Sequence, residues 1–325
     1  MYHFMNEDSF IESTFAEPKV SYASYQSKYI DPLTDFGFKF IFGSEPNKDI
    51  LIDFLNAIFQ GSKVIVDLTY NNTESTGENQ LSRDVFFDLL CTGQDGEQFI
   101  IEMQRKMQSH FMDRCMYYAS RIISEQAPDS GEDWNYTIKG VYLIAILDFD
   151  FKLNPGKDYL VPIKLINTNT QTLFYDKIAF LFLELRKFDK EEKDLVSDLD
   201  KWCYVLKHLH RLEKMPVFLN KRIFQKIFNL AEVGKLNKKE RMSYDRALKA
   251  RRDYNNTINY AKEEAMREGK AEGLAEGKAA VKAEGIAETI RANVINMYQK
   301  ELTIETIAEI VNLSVDDVHK IIEAI

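Results

Sequence analysis

Two acidic side chains and one amide stand in the chain where buried polar residues are unexpected. Asp88 and Glu102 are 14 residues apart, and Gln104 follows Glu102 by two positions. Each acid lies among apolar residues, in DVFFDLL and in FIIEM, that fall on both faces of an extended segment. Burying a carboxylate is costly unless a cation or hydrogen-bond donors compensate it. A divalent cation between Asp88 and Glu102 would supply that compensation, and metal-assisted hydrolysis is the chemistry of such a site.

The two acidic segments are predicted to be the arms of one β-hairpin, residues 83–104. Gly93 and Asp95-Gly96 lie between the arms and favour a turn. The alternation of a strand places Asp84, Phe86 and Asp88 on one face of the first arm. Ile100, Glu102 and Gln104 share a face of the second arm, so we expect both acids to converge.

Three sequence blocks carry a resemblance to a known family. They are DPLTDFGFKFIFG at residues 31–43, IIEMQ at residues 100–104 and DRCMYYASRIISEQ at residues 113–126. In this order they resemble the PD-(D/E)XK family transposases, also called recombination-promoting nucleases. The resemblance covers residues 29–150 and a helical tail of the kind these proteins often carry.

The resemblance implies an α/β fold, with a restriction-endonuclease-like core of mixed sheet flanked by helices and a mostly helical C-terminal region. It implies a DNA endonuclease that uses Mg²⁺ or Mn²⁺ held by Asp88 and Glu102, with the Met103 carbonyl between Glu102 and Gln104 as a further oxygen ligand. Asp35, Asp88, Glu102 and Gln104 are the implied catalytic residues. Gln104 occupies the position of a lysine in the wider superfamily, and its amide can orient water but cannot act as a base.

Each site residue also has a structural interpretation. Asp35 either contributes a third acid from the first helix or pairs with Lys39 at i,i+4 spacing. Asp84 is either a reserve ligand or a partner of surface cations. Asp88 and Glu102 could be held by hydrogen bonds alone. The competing functional hypothesis is therefore a catalytically inactive nucleic-acid-binding or oligomerising scaffold.

Bulk composition narrows the class of protein. The 325 residues are 45% hydrophobic and 29% charged, as in soluble globular proteins. Cys91, Cys115 and Cys203 are far apart, which disfavours a disulfide framework or structural zinc and favours a reducing compartment. The apolar runs are too short to span a bilayer, and no signal peptide is evident. A cytoplasmic location is expected.

The net charge of −9 disfavours a nucleic-acid partner, but its distribution does not. Residues 201–260 carry 15 Lys and Arg against five Asp and Glu, a local charge of +10. This run predicts either a solvated helical face or a surface that follows a DNA backbone. The candidate DNA-binding residues are Arg114, Tyr117 and Arg121 on a predicted helix, and Lys221, Arg222, Lys238, Lys239, Arg251 and Arg252 in the basic run. The tyrosine could instead be a half-buried packing residue.

Periodicity and composition divide the chain into five segments. An N-terminal arm (1–28) precedes the nuclease-like core (29–190), which should contain helices at 48–59 and 109–126 and strands at 63–70, 142–149 and within 155–188. A basic helical region (191–262), a Gly/Ala/Glu/Lys-rich helical linker (263–290) and a small helix-turn-helix-like tail (291–325) follow.

The linker and the tail each suggest an interaction. Gly269, Gly273 and Gly277 recur every four residues, so one helix face could approach a second copy closely, although a flexible spacer gives the same composition. In the tail, Asn312 occupies the turn and Ser314 caps the second helix. The acidic start of that helix favours a packing module over a DNA reader.

Overall fold

The computed structural model describes residues 27–75, 85–128, 134–151 and 155–324. The described residues form two compact units, and the chain passes from the first to the second between Leu248 and Lys249. The predicted N-terminal arm lies almost wholly outside the described residues, and Asp84 lies outside them too.

A mixed six-stranded sheet is the centre of the first unit. Its strands are β1 (Leu68–Tyr70), β4 (Leu89–Gly93), β5 (Gln98–Gln104), β6 (Val141–Leu147), β7 (Leu160–Ile166) and β8 (Leu173–Glu184), in the spatial order β1-β4-β5-β6-β8-β7. Strands β5, β6 and β8 are parallel, and the other pairs are antiparallel. The strands predicted at 142–149 and within 155–188 are confirmed. The strand predicted at 63–70 is shorter, because Val64 and Val66 are exposed and only Leu68–Tyr70 pairs with β4.

Helices cover both faces of the sheet, as the resemblance implied. On one face, Phe99 and Ile101 of β5 share a core with α1 (Asp35–Phe42), α2 (Lys48–Phe59), α4 (Asp198–His208) and α5 (Arg222–Leu230). On the other face, Ile100 of β5 packs in a core with α3 (Phe111–Ser124). The predicted helix at 48–59 is confirmed, and it ends at Gln60, which is left-handed with φ 49°. A sheet buried on both faces explains the continuous apolar run of β6.

Helix α3 buries only part of the inner stripe that the sequence pattern predicts, which comprises Met112, Cys115, Met116, Ala119, Ile122 and Ile123. Its buried residues are Phe111, Cys115, Ala119 and Ile122. Met112 and Met116, which the sequence pattern assigns to the inner stripe, are exposed instead. They border an apolar groove of about 360 Å³ between α3 and strands β7 and β8.

The first arm of the predicted hairpin is interrupted, which corrects the expectation of one continuous strand. Strand β3 (Val85–Phe86) pairs with β2 (Glu74–Ser75) in a separate two-stranded sheet. The main sheet resumes only at Leu89, which lies opposite Ile101. Asp88 therefore occupies a bend between β3 and β4 rather than a strand position.

The second unit is helical. Helix α6 (Lys238–Gln299) runs through the predicted linker without interruption and continues from the first unit into the second. Helices α7 (Ile304–Val311) and α8 (Val315–Glu323) pack with Val294 of α6 in a small core. Asn312 turns the chain at φ 55°, and the Ser314 hydroxyl accepts a hydrogen bond from the Asp317 N–H at 3.1 Å, as predicted. Within the described residues, no helix is long and apolar enough to cross a membrane.

Candidate active site

Asp88 and Glu102 lie side by side where the main sheet ends, and they form what we call the acid pair. The Asp88 N–H donates to Glu102 Oε1 at 3.3 Å, and the Asp88 carboxylate accepts from the Met103 N–H at 2.8 Å. Gln104 Nε2 donates to Glu102 Oε2 at 3.0 Å. Glu102 lies in one row with Ala145 of β6, on the face of the sheet that α3 covers. The predicted convergence of the two acids is thus present in the structure.

The bend at Asp88 frees one backbone carbonyl beside the acid pair. In the antiparallel ladder between β4 and β5, every second residue pair is joined by backbone hydrogen bonds, as Gly93 is to Glu97. If this pattern continued beyond Leu89 and Ile101, the next hydrogen-bonded pair would be Phe87 and Met103. The Phe87 N–H instead donates to the Thr73 carbonyl at 2.8 Å. The Met103 N–H is taken by Asp88, so the Met103 carbonyl loses its ladder partner at the point where both acids meet. A carbonyl in this position is available to a ligand.

Burial raises the pKa of both carboxyl groups. Burial raises the pKa of Glu102 to about 8, and the charge of Asp88 contributes to the rise. Burial also raises the pKa of Asp88 above its ordinary value, while the hydrogen bond from Met103 opposes the rise. Among the described residues, neither acid forms a salt bridge. A buried acid beside a half-buried acid, with no salt bridge to either among the described residues, is an arrangement that a metal ion would stabilise.

Helix α1 brings two charges near the acid pair. Lys39 Nζ lies 2.8 Å from Asp35 Oδ1, so the predicted i,i+4 ion pair between these residues is present. Asp35 also lies close enough for its charge to raise the pKa of Asp88, while the charge of Lys39 lowers it. The helix is held in place at its start, where Thr34 Oγ1 accepts from the Gly37 N–H at 3.0 Å. Both interpretations of Asp35 therefore remain compatible with its position.

Helix α3 brings Arg114 to the opposite side of the acid pair. Its positive charge lowers the pKa of both Asp88 and Glu102, although burial outweighs it in each case. Arg114 Nη1 donates to Gln108 Oε1 at 2.5 Å, but the buried Nη2 has no hydrogen-bond partner among the described residues. Tyr118 lies beside it, and the charge of Glu102 adds to the effect of burial in raising the Tyr118 pKa. Arg114 thus offers an unused donor close to two acids.

The remaining candidate DNA-binding residues are not gathered around this site. On α3, Tyr117 is exposed and Arg121 pairs with Glu125 at 2.9 Å. Lys221 pairs with Asp198. Arg222 begins α5, Lys238 and Lys239 begin α6, and all three are exposed. Arg251 and Arg252 belong to the second unit. The basic run is a series of separate positions on several helices, and part of its charge is already paired.

The donors present suit a small hard cation. Within the described residues, no three His, Cys, Asp or Glu side chains come together as a ready metal cage. Mg²⁺ does not require one, because it binds through one or two carboxylates and keeps several waters. The acid pair and the Met103 carbonyl, which lacks the Phe87 N–H as a ladder partner among the described residues, provide three oxygen donors of this kind. The residues therefore fit a magnesium or manganese ion.

Two neighbours of the acid pair were missed by sequence reasoning. Lys39 was considered only as the partner of Asp35, although one helical turn places it where its charge reaches both acids. The sequence predicts the same two roles for Tyr117 and Tyr118, phosphate contact or half-buried packing, because adjacent positions on a helix cannot be ranked before the inner face of α3 is known. Knowledge of that face would have identified Tyr118, which packs against Phe87 with ring centroids 5.1 Å apart.

Comparison with known proteins gives one match. The family model described as PD-(D/E)XK nuclease family transposase matches residues 32–261. The matched region contains the acid pair, all six strands of the main sheet and the first part of α6. Searches of curated proteins and of solved structures returned no match.

Proposed function

The chain belongs to the PD-(D/E)XK nuclease family transposases, a family of nuclease-type hydrolases, and we propose on this basis that it is a metal-dependent DNA endonuclease. The observation that carries the proposal is the contact between Asp88 and Glu102 beside the Met103 carbonyl, whose ladder partner Phe87 bonds to Thr73 instead. These three groups would hold Mg²⁺ or Mn²⁺. The bound ion would make a water more acidic and would neutralise charge that develops on the phosphorus oxygens.

The protein groups around the ion would orient the reactants. Gln104 donates its amide N–H to Glu102. The amide oxygen of Gln104, Oε1, would then accept a hydrogen bond from the attacking water. The free Nη2 of Arg114 would donate to an oxygen of the scissile phosphate, a contact that suits the guanidinium group. Asp35 would hold Lys39 in place and add negative charge at the edge of the site. The free, buried thiols of Cys91, Cys115 and Cys203 support a reducing location, for which we propose the cytoplasm.

A plasmid-nicking assay tests the proposal. The wild-type chain should convert supercoiled plasmid to nicked or linear forms with Mg²⁺ or Mn²⁺, and Asp88→Asn and Glu102→Gln should each reduce the rate at least about 100-fold, the scale of losing a group that stabilises transition-state charge. Glu97→Gln is the matched control. Glu97 is a buried acid next to the other end of β5, where Lys63 pairs with it at 3.1 Å.

Direct metal binding separates a lost ligand from a lost fold. Mn²⁺ titration followed by electron paramagnetic resonance should show binding to the wild type and to Glu97→Gln. Binding should weaken strongly in Asp88→Asn and Glu102→Gln. Cleavage that persists in both acid variants, or metal binding unchanged by them, contradicts the catalytic proposal.

A second candidate function, self-association through α6, has its own support. Gly269, Gly273, Gly277 and Gly285 lie on one continuous helix, and a Cβ added at any of them would meet nothing within 4 Å. Residues 259–263 and 265–289 of this helix are exposed throughout. A second copy could pack closely along such a face, which would offset the helix-destabilising effect of the glycines. This candidate is compatible with catalysis and also with an inactive scaffold.

A further inference from the structure

A second group of charged side chains lies at the carboxyl ends of the three parallel strands. Arg105 directly follows β5, Asp148 directly follows β6, and Arg186 lies two residues beyond β8. The last residues of these strands, Gln104, Leu147 and Glu184, are in register. The three charged residues therefore emerge at the same edge of the sheet, where open α/β sheets commonly bind ligands.

Two arginines share one carboxylate at this edge. Arg105 Nη2 is 3.5 Å from Asp148 Oδ2, and Arg186 Nε is 3.8 Å from Asp148 Oδ1. Both distances exceed those of strong charge-assisted hydrogen bonds. Burial lowers the pKa of Arg105, Asp148 opposes this effect, and the like charge of Arg186 adds to it. The group thus carries more positive than negative charge, and its one acid satisfies neither guanidinium well.

His210 adds a hydrogen-bond donor without a partner. The Arg211 Nε–H donates to His210 Nε2 at 3.1 Å, so a neutral ring must carry its proton on Nδ1. Burial, the charge of Arg211 and the charge of Arg105 lower the His210 pKa to about 4, which keeps the ring neutral. The buried Nδ1 has no hydrogen-bond partner among the described residues. An oxyanion ligand would accept from such a donor, which otherwise costs about 1–3 kcal/mol.

The position of this group relates it to the acid pair. Arg105 follows Glu102 by three residues, which corresponds to about 10 Å along an extended strand. On one strand of B-DNA, phosphates follow each other at about 3.4 Å along the helix axis. A backbone that runs from the acid pair along the direction of β5 would present another phosphate to Arg105 within about three nucleotides.

We propose that Arg105, Arg186 and His210 form a second phosphate-binding site, the carboxyl-edge site, which holds the DNA backbone on one side of the scissile bond. Asp148 forms ion pairs with both guanidinium groups when DNA is absent, and a backbone phosphate replaces it as their partner. The identity of the ligand as DNA rests on the proposed function. Arg105, Arg186 and His210 would contact a phosphate that does not react, so their role is to position the DNA.

Binding of the full-length chain to a fluorescein-labelled DNA duplex, measured by anisotropy in EDTA over a series of salt concentrations, tests this site. Arg105→Gln and Arg186→Gln should each raise Kd about 10-fold and lower the salt slope by about one. Asp148→Asn should lower Kd, because it releases both arginines. A gain in affinity cannot come from a folding defect.

The ion pair of Arg267 and Glu264, with atoms 3.2 Å apart on α6, gives matched controls. Arg267→Gln and Glu264→Gln make the same charge changes in the second unit, outside the carboxyl-edge site. If they alter Kd and the salt slope as much as the carboxyl-edge variants, or if Asp148→Asn weakens binding, the site is overturned. Nicking assays on the same proteins keep the two proposals apart. Arginine-dependent binding without any cleavage contradicts the nuclease, whereas cleavage with arginine-independent binding contradicts the site.

Discussion

At the scale of single residues, the acid pair is a balance between burial and hydrogen bonding. Hydrogen bonds from Met103, Gln104 and the Asp88 N–H favour the ionised carboxylates. Burial opposes them and prevails, because the pKa of both acids is raised. The protein alone therefore does not stabilise two negative charges here at neutral pH. A bound cation would reverse that balance, and this conclusion gives the site a pH dependence that can be measured.

Without metal, the free energy of unfolding should fall as pH rises from about 5 to about 8. The folded-state pKa of Glu102 is about 8, well above that of a glutamate in an unfolded chain, so the folded protein retains a proton that the unfolded chain releases. The stabilising effect is complete below the unfolded pKa and is lost as pH rises through the folded one. Urea unfolding in EDTA at several pH values measures it, with an expected change on the order of a few kcal/mol.

The same measurement on two variants assigns the effect to its residue. Glu102→Gln should largely remove the pH dependence, and Glu97→Gln should retain it. Added Mg²⁺ should stabilise the wild type more at pH 8 than at pH 6, because the ion competes with the proton. An undiminished pH slope in Glu102→Gln would show that another group is responsible.

At the scale of secondary-structure elements, two features shape the site: the bend that interrupts the first arm of the hairpin and the close approach of α1 to the preceding loop. The bend turns Asp88 toward Met103 and removes the ladder partner of the Met103 carbonyl. The start of α1 is packed so closely that a Cβ on Gly37 would lie 2.1 Å from the Asp31 carbonyl oxygen. This contact fixes the helix that carries Asp35 and Lys39.

Gly37→Ala should therefore destabilise the first unit and disturb the site together. The added methyl group meets backbone, so α1 must shift, at a cost of about 1–3 kcal/mol. Urea unfolding measures the loss, and nicking activity should fall more than stability alone explains. Gly234→Ala is the control, because a Cβ there meets nothing within 4 Å. Equal stability of the two variants would contradict the close packing of α1.

At the scale of the whole molecule, the cores of the sheet and the proposed self-association face belong to different parts of the chain. The two large cores draw their residues from the first unit, whereas the small core around Val294 lies in the second. The match to the nuclease family ends at residue 261, before the glycine-rich part of α6. Cleavage and folding of the sheet should therefore be independent of the second unit.

A chain shortened to end at Met266 should retain the thermal unfolding of the sheet domain and the nicking activity of the full chain. Its mass in solution, measured by light scattering, should fall to that of a monomer, because the glycine face of α6 is absent. An assembly state that does not change on shortening, or a full-length chain that is already monomeric, contradicts self-association through this face. Loss of folding on shortening would contradict the independence of the first unit.

The sequence by itself determined the residue types of the site and, for Glu102 and Gln104, the face that they share on β5. Amphipathic spacing predicted α2, and the capping pattern predicted the α7–α8 turn. These features depend on neighbours within a few residues, which the local pattern records. The mixed sheet followed from the family resemblance rather than from periodicity.

Tertiary structure alone decided which distant residues meet. Periodicity assigns a side chain to a face but not to a partner, so it could not show that Asp88 leaves the strand or that α3 turns Met112 and Met116 outward. It could not gather Arg105, Asp148, Arg186 and His210, which come from four separate segments. Three of them meet because the parallel strands β5, β6 and β8 end in register, and that register is set by packing across the whole sheet.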